Sequence, residues 1–173
     1  WFTELMKMED GTFRHIYPDR TIEFYDAFGK LIKIQDRNQN KMEFDYNISG
    51  QLAAVMDTMG RVIDFQYYPV EFDEAGELKS KSGRLWKIVD FSNRTVTFTY
   101  FDNGDLKSVD FEGRVKQYGY RQSADIQLAH NLETFIDPRG TALQDNTPVL
   151  KVIYNTSDQV GQLDFIQLTQ DII

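Results

Sequence analysis

Cysteine is absent from this 173-residue chain, which excludes disulfides and thiolate metal sites. Histidine is almost absent: His15 and His130 are the only two. Neither stands near a serine nucleophile in a recognisable motif. The chain contains no Gly-x-Ser-x-Gly, no His-Glu-x-x-His and no phosphate-cradling glycine loop. Apolar runs are short; none approaches the roughly 18 residues that a membrane-spanning helix requires. Basic residues are outnumbered, 19 against 27 acidic, for a formal net charge of −8 and a pI near 4.7. That balance argues against a nucleic-acid backbone or an anionic membrane as partner, because both need clustered Lys and Arg. Solubility is the plain reading of the acidic excess.

Aromatic residues are plentiful, at 14%, within a 41% hydrophobic fraction. They recur in a pattern, Tyr-[Asp/Asn]-x-x-Gly-x-Leu. It reads Tyr25-Asp26-Ala27-Phe28-Gly29-Lys30-Leu31 and returns as Tyr46-Asn47-Ile48-Ser49-Gly50-Gln51-Leu52. The same offset of 21 residues carries Asp36 to Asp57, Phe44 to Phe65 and Tyr46 to Tyr67. A fixed period of this kind marks stacked structural repeats. Met42, Phe44 and Tyr46 alternate with polar residues, as do Ile63, Phe65 and Tyr67, and Val96, Phe98 and Tyr100. Period two places each set on one face of a strand. Between such strands lie Asp36-Arg37-Asn38-Gln39-Asn40 and Asp57-Thr58-Met59-Gly60. These residue types tolerate tight or left-handed backbone. Each repeat therefore reads as a β-hairpin.

Later copies are spaced less evenly. Leu85, Asp90, Phe98 and Tyr100 form a third copy, and Gly104, Leu106, Asp110, Tyr118 and Tyr120 a fourth. Leu132, Asp137, Gly140 and Tyr154 form a looser fifth, and Gly161 with Leu163 opens a partial sixth. The expected plan is one segment over 1–173: a lead-in at 1–24 and repeats near 25–46, 46–67, 83–100, 101–120 and 131–154. A partial repeat follows at 155–173, with insertions at 68–82 and 121–130. The first insertion is expected to be a surface loop. In the second, a short helix within 123–131 is weighed and loop preferred. In-register repeats are expected to set Phe44 near Phe65 and Tyr46 near Tyr67. A five-repeat slice would leave open sheet edges, and with Trp1 in place of Met it is expected to be a piece of a longer protein.

The stretches Asp36-Arg37-Asn38-Gln39-Asn40 … Phe44-Asp45-Tyr46-Asn47-Ile48-Ser49-Gly50-Gln51-Leu52 and Asp57-Thr58-Met59-Gly60-Arg61-Val62 … Phe65-Gln66-Tyr67 resemble the YD-repeat, or Rhs-repeat. The resemblance covers roughly residues 20–170. The family includes bacterial Rhs and polymorphic toxins, shell components of insecticidal toxin complexes, wall-associated proteins and teneurins. The resemblance implies an all-β fold, with tandem hairpins in a curved or spiralling antiparallel sheet. It also implies a bacterial, secreted or surface-associated parent, whose other repeats or domains are the partners and whose shell encloses an effector. Tyr-Asp is intact only at Tyr25-Asp26, and the family's self-cleaving aspartate segment is not recognisable. Asp137-Pro138-Arg139-Gly140 superficially resembles part of it, but Asp137 falls where Asp36 and Asp57 fall, so a turn is the better reading.

Catalysis, cofactors and metals are not expected. Asp36, Asp57, Asp90, Asp110 and Asp137 share one repeat position, which favours turn capping over a glycosidase pair. Asp102-Asn103-Gly104-Asp105 matches neither an EF-hand loop nor the nonapeptide calcium repeat. The rival functional reading is a surface module for glycans or proteins. Trp86 and Tyr68 are its candidate contacts, because aromatic faces can stack on sugar rings.

Overall fold

Alternating β-branched and aromatic residues favour strands over helices throughout. The computed structural model describes residues 2–121, 130–137, 148–154 and 159–165, and these are all strand, turn and connection. The strands are β1 (Glu4–Lys7), β2 (Phe13–Ile16), β3 (Ile22–Tyr25), β4 (Leu31–Gln35), β5 (Lys41–Tyr46), β6 (Leu52–Asp57) and β7 (Val62–Tyr67). They continue as β8 (Leu85–Val89), β9 (Thr95–Tyr100), β10 (Leu106–Phe111), β11 (Arg114–Tyr120), β12 (Leu132–Ile136), β13 (Leu150–Tyr154) and β14 (Val160–Phe165). Sheet order follows chain order from β1 to β14; pairing is antiparallel from β1 through β7 and from β9 through β14. The fold is all-β, as the repeat pattern implies. Contacts divide the chain into one unit of 1–66 with 88–93 and another of 67–87 with 94–173.

One turn geometry recurs. In the turns starting at Met8, Tyr17, Asp26, Asp36, Asn47, Asp57, Asp73 and Phe101, the first N–H donates to the carbonyl four residues on. The N–H three residues on donates back to the first carbonyl. The fourth residue has positive φ each time, for example +77° at Gly50 and +88° at Gly104. This is the three-residue hairpin connection closed by a bulge. Register shifts fall beside it, at Phe24/Tyr25 and at Asp45/Tyr46. Residues 2–25 use the same device and supply β1, β2 and β3.

The expected stacking of Phe44 beside Phe65 does not occur. Each 21-residue repeat carries two strands, so β6 separates β5 from β7. Phe44 faces Val55, and Val55 faces Ile63. Equivalent strands are thus next-but-one neighbours, about 10 Å apart. The insertion at 68–82 is also more ordered than a plain loop. Phe72 bridges Leu78, and Asp73 to Glu77 make the recurrent turn. Phe72-Asp73-Glu74-Ala75-Gly76-Glu77-Leu78 restates the repeat motif with Phe in place of Tyr. Gly140 and residues 123–129 of the weighed helix lie outside the described residues.

Register sorts side chains onto two faces. In the first unit Leu5, Phe13, His15, Glu23, Tyr25, Ile34, Met42, Phe44, Val55 and Ile63 share one face. Arg14, Phe24, Lys33, Lys41, Glu43 and Asp64 share the other. Neither face is sealed. Among the described residues, Val152 in the second unit is the only buried hydrophobic side chain.

Candidate functional site

The repeated Asp is a turn clamp. Asp36 Oδ1 accepts from the N–H groups of Asn38 and Asn40, at 2.8 and 2.9 Å. Asp57 does the same for Met59 and Arg61, at 2.9 and 3.0 Å. Asp26 clamps Phe28 and Lys30, and Asn47 clamps Ser49 and Gln51. Asp90 and Asp110 each accept one turn N–H, from Ser92 and Gly113. At Asp36 and Asp57 the hydrogen bonds favour the ionised form. The Asn40 amide holds the Asp36 carboxyl below its usual range, and the Arg61 side chain does so for Asp57. Such carboxylates are spent on backbone. Asp137 ends a described stretch, Gly60 and Gly29 occupy turns, and Gly161 lies in β14.

The repeated Tyr and Leu meet across strands. Tyr46 closes β5 and donates its hydroxyl to the carbonyl of Leu31, which opens β4, at 2.7 Å. Tyr100 donates to Leu85 at 2.8 Å, and Tyr154 to Leu132 at 2.8 Å. Tyr120 also hydrogen-bonds the Leu106 backbone. The bulge at each turn disturbs the ladder there. A phenol reaching that strand end supplies a bond that phenylalanine could not.

A cation completes two of these interlocks. Lys30, just before Leu31, sets Nζ 4.6 Å from the Tyr46 ring centre and donates to the Gly50 carbonyl at 2.9 Å. Arg84, just before Leu85, lies 5.5 Å from the Tyr100 ring centre and against Gly104. A Cβ on Gly104 would stand 2.5 Å from the Arg84 guanidinium. Glycine at these turns therefore serves positive φ and close approach together.

Sequence reasoning missed one cluster. On β2 and β3, Glu23 Oε2 accepts from Tyr25 at 2.6 Å and Tyr17 at 3.0 Å, and meets His15 Nδ1 at 3.2 Å. The Tyr25 bond holds the Glu23 carboxyl below its usual range, against the opposing effect of burial. The same bond pushes the Tyr25 phenol up to about 12. Tyr17 is raised for the same reason. Alternation at His15, Tyr17, Glu23 and Tyr25 was the available signal, because period two puts all four on one face. His130, the other histidine, meets Asp105 at 2.8 Å.

The aromatic pair considered for sugars is partly committed internally. Tyr68 packs on Trp86 at 6.2 Å and edge-on to Tyr100 at 6.0 Å, and its hydroxyl donates to the Phe98 carbonyl. Trp86 stays 41% exposed. Beside Tyr68 the insertion walls a 560 Å³ cavity in which Lys79 pairs with Glu71. Among the described residues no group of three or more His, Cys, Asp or Glu is placed to hold a metal ion. No helix among them is long and apolar enough to cross a membrane.

Hairpins in tandem, clamped by Asp and stitched by Tyr, define a repeat protein whose product is a sheet. The chain belongs to the teneurin YD-shell family, whose model matches residues 12–136. No curated protein matches it. Solved structures are similar at low identity, and two of them serve as examples. The Photorhabdus luminescens Tc holotoxin pore is 13% identical with a TM-score of 0.38, over 90% of this chain and 9% of that one. A TcdB2-TccC3 crystal structure is 12% identical with a TM-score of 0.35, over 95% and 13%. The chain thus spans about a tenth of the length of these chains.

Proposed function

We propose that this chain is a non-catalytic wall segment, part of a YD-shell in a larger bacterial secreted protein. Its task is to enclose or present a neighbouring domain, such as a toxin or effector. The observation that carries this reading is the unsealed apolar face. Leu5, Met42 and Ile63 lie on it at 69%, 44% and 38% exposure, and a soluble chain leaves such a surface open only where something else meets it. Its natural partners in this reading are flanking repeats or domains of the same parent. Cryo-electron microscopy of the intact parent tests it. A hollow shell with these residues in its wall and extra density inside supports enclosure. A solid rod, or an isolated sheet with both faces in solvent, refutes it.

A further inference from the structure

Where the recurrent turn does not start with Asp or Asn, its third residue takes over as clamp. In the turns that start at Met8 and Tyr17, Asp10 and Asp19 accept the N–H of Thr12 and Thr21. In the turn that starts at Phe101, the third residue is Asn103. Its Oδ1 accepts the Asp105 N–H at 3.1 Å, and its Nδ2 donates to Asp105 Oδ2 at 2.8 Å. The residue after it is Gly104, and this is the one Asn-Gly step in the chain.

An Asn-Gly step carries its own reaction, because a glycine has no Cβ to keep its backbone nitrogen from the asparagine Cγ. The Gly104 N–H would give its proton to hydroxide, and the nitrogen would bond to Asn103 Cγ. The Cγ–Nδ2 bond breaks, and ammonia leaves with a proton taken from water. Water then opens the cyclic imide at either carbonyl. One product is aspartate. The other is isoaspartate, whose backbone runs through the side chain and is one methylene longer.

The folded turn opposes the first step in three ways. Gly104 is buried, although Asn103 is exposed, and the Arg84 guanidinium lies against it. The Gly104 N–H is already donated to the Phe101 carbonyl at 2.9 Å. The Asn103 amide is held at both ends by Asp105. That carboxylate is itself fixed: its side chain is 14% exposed and its Oδ1 meets His130 Nδ1 at 2.8 Å.

We infer that Asn103 is a latent modification site, hydrolysed to aspartate or isoaspartate when the β9–β10 turn opens, and that Asp105 holds it shut. Local opening of a hairpin is a lower-energy event than global unfolding, so the site records that opening. Conversion replaces the donor to Asp105 with a second carboxylate, and like charges at that distance repel. Isoaspartate also lengthens a turn whose hydrogen bonds fit five residues. The site needs only this hairpin and is independent of whether the sheet encloses a domain.

The test incubates the whole chain at mildly alkaline pH, folded and in urea, and follows Asn103 by peptide mass mapping with isoaspartate resolved by chromatography. The amide should survive more than about tenfold longer in the folded chain, because a hydrogen bond to a charged group must first be lost. Asp105→Ala, folded by circular dichroism, should convert Asn103 several-fold faster than the unmodified chain. Asp105→Asn, which keeps an acceptor for Nδ2, should convert it more slowly than Asp105→Ala. Equal rates in the folded and unfolded chain overturn the inference, as does an Asp105→Ala chain that converts no faster than the unmodified one. Should Asp105→Ala fail to fold, the folded and urea arms of the unmodified chain decide the matter.

Discussion

Removing one oxygen, in Tyr46→Phe, isolates the stitch that defines the repeat. The ring stays, so Phe44's neighbours and the Lys30 cation above the ring keep their contacts. What goes is the 2.7 Å bond from the phenol to the Leu31 carbonyl. That carbonyl lies at a half-buried strand end, and a neutral hydrogen bond of this type contributes about 1 kcal/mol net. Urea denaturation of the chain should therefore show Tyr46→Phe less stable by about 1 kcal/mol, with the slope against denaturant unchanged. Tyr100→Phe and Tyr154→Phe remove equivalent bonds and should cost similar amounts. Tyr118 is the control. It packs on Phe135 at 5.5 Å, and its hydroxyl makes no hydrogen bond among the described residues. Tyr118→Phe should be nearly neutral. If Tyr46→Phe matches wild type within about 0.3 kcal/mol, or if Tyr118→Phe costs as much, the stitch is decorative and the reasoning fails.

Gly50→Ala and Gly29→Ala both strain a positive-φ turn, at about 1–2 kcal/mol each. Gly50→Ala should be the worse, because its Cβ would meet Lys30 Nζ at 2.7 Å while Gly29 has open space; Lys30→Met should narrow the gap in thermal melts. Gly119→Ala should destabilise through collision with Thr134, its partner across β11 and β12, and Thr134→Ala in the same background should recover part of the loss. The Glu23 network gives a pH signature. The Tyr25 phenol is raised from an ordinary 10.0 to about 12, so its contribution is complete below pH 10 and lost as pH climbs towards 12. Glu23 is lowered, so its contribution is lost as pH falls through the acidic carboxylate range. Tyr25→Phe should blunt the alkaline loss in melts taken across that window; an unchanged alkaline profile would count against the network.

Much of the architecture is local and could be read from the chain. Period two fixes which side chains share a face, and Asp, Asn and Gly at fixed spacing fix the turns, because both effects act within five residues. The 21-residue period, the hairpin plan and the turn position of the repeated Asp all rest on such short-range rules. The motif at 72–78 was equally local and was masked by Phe in place of Tyr. Cross-strand partners are another matter. That Phe44 meets Val55 and not Phe65 depends on two strands per repeat and on antiparallel register, which the repeat count alone does not give. The Tyr46 phenol on Leu31 spans 15 residues, and the Glu23 cluster gathers side chains from two strands. Their partners exist only once register is set, because a slip of one residue would send each to the opposite face. The sequence by itself determined the strands, the turns and the family. Tertiary structure decided which tyrosines stitch, where a carboxylate is half-buried, and which apolar side chains share one unsealed face.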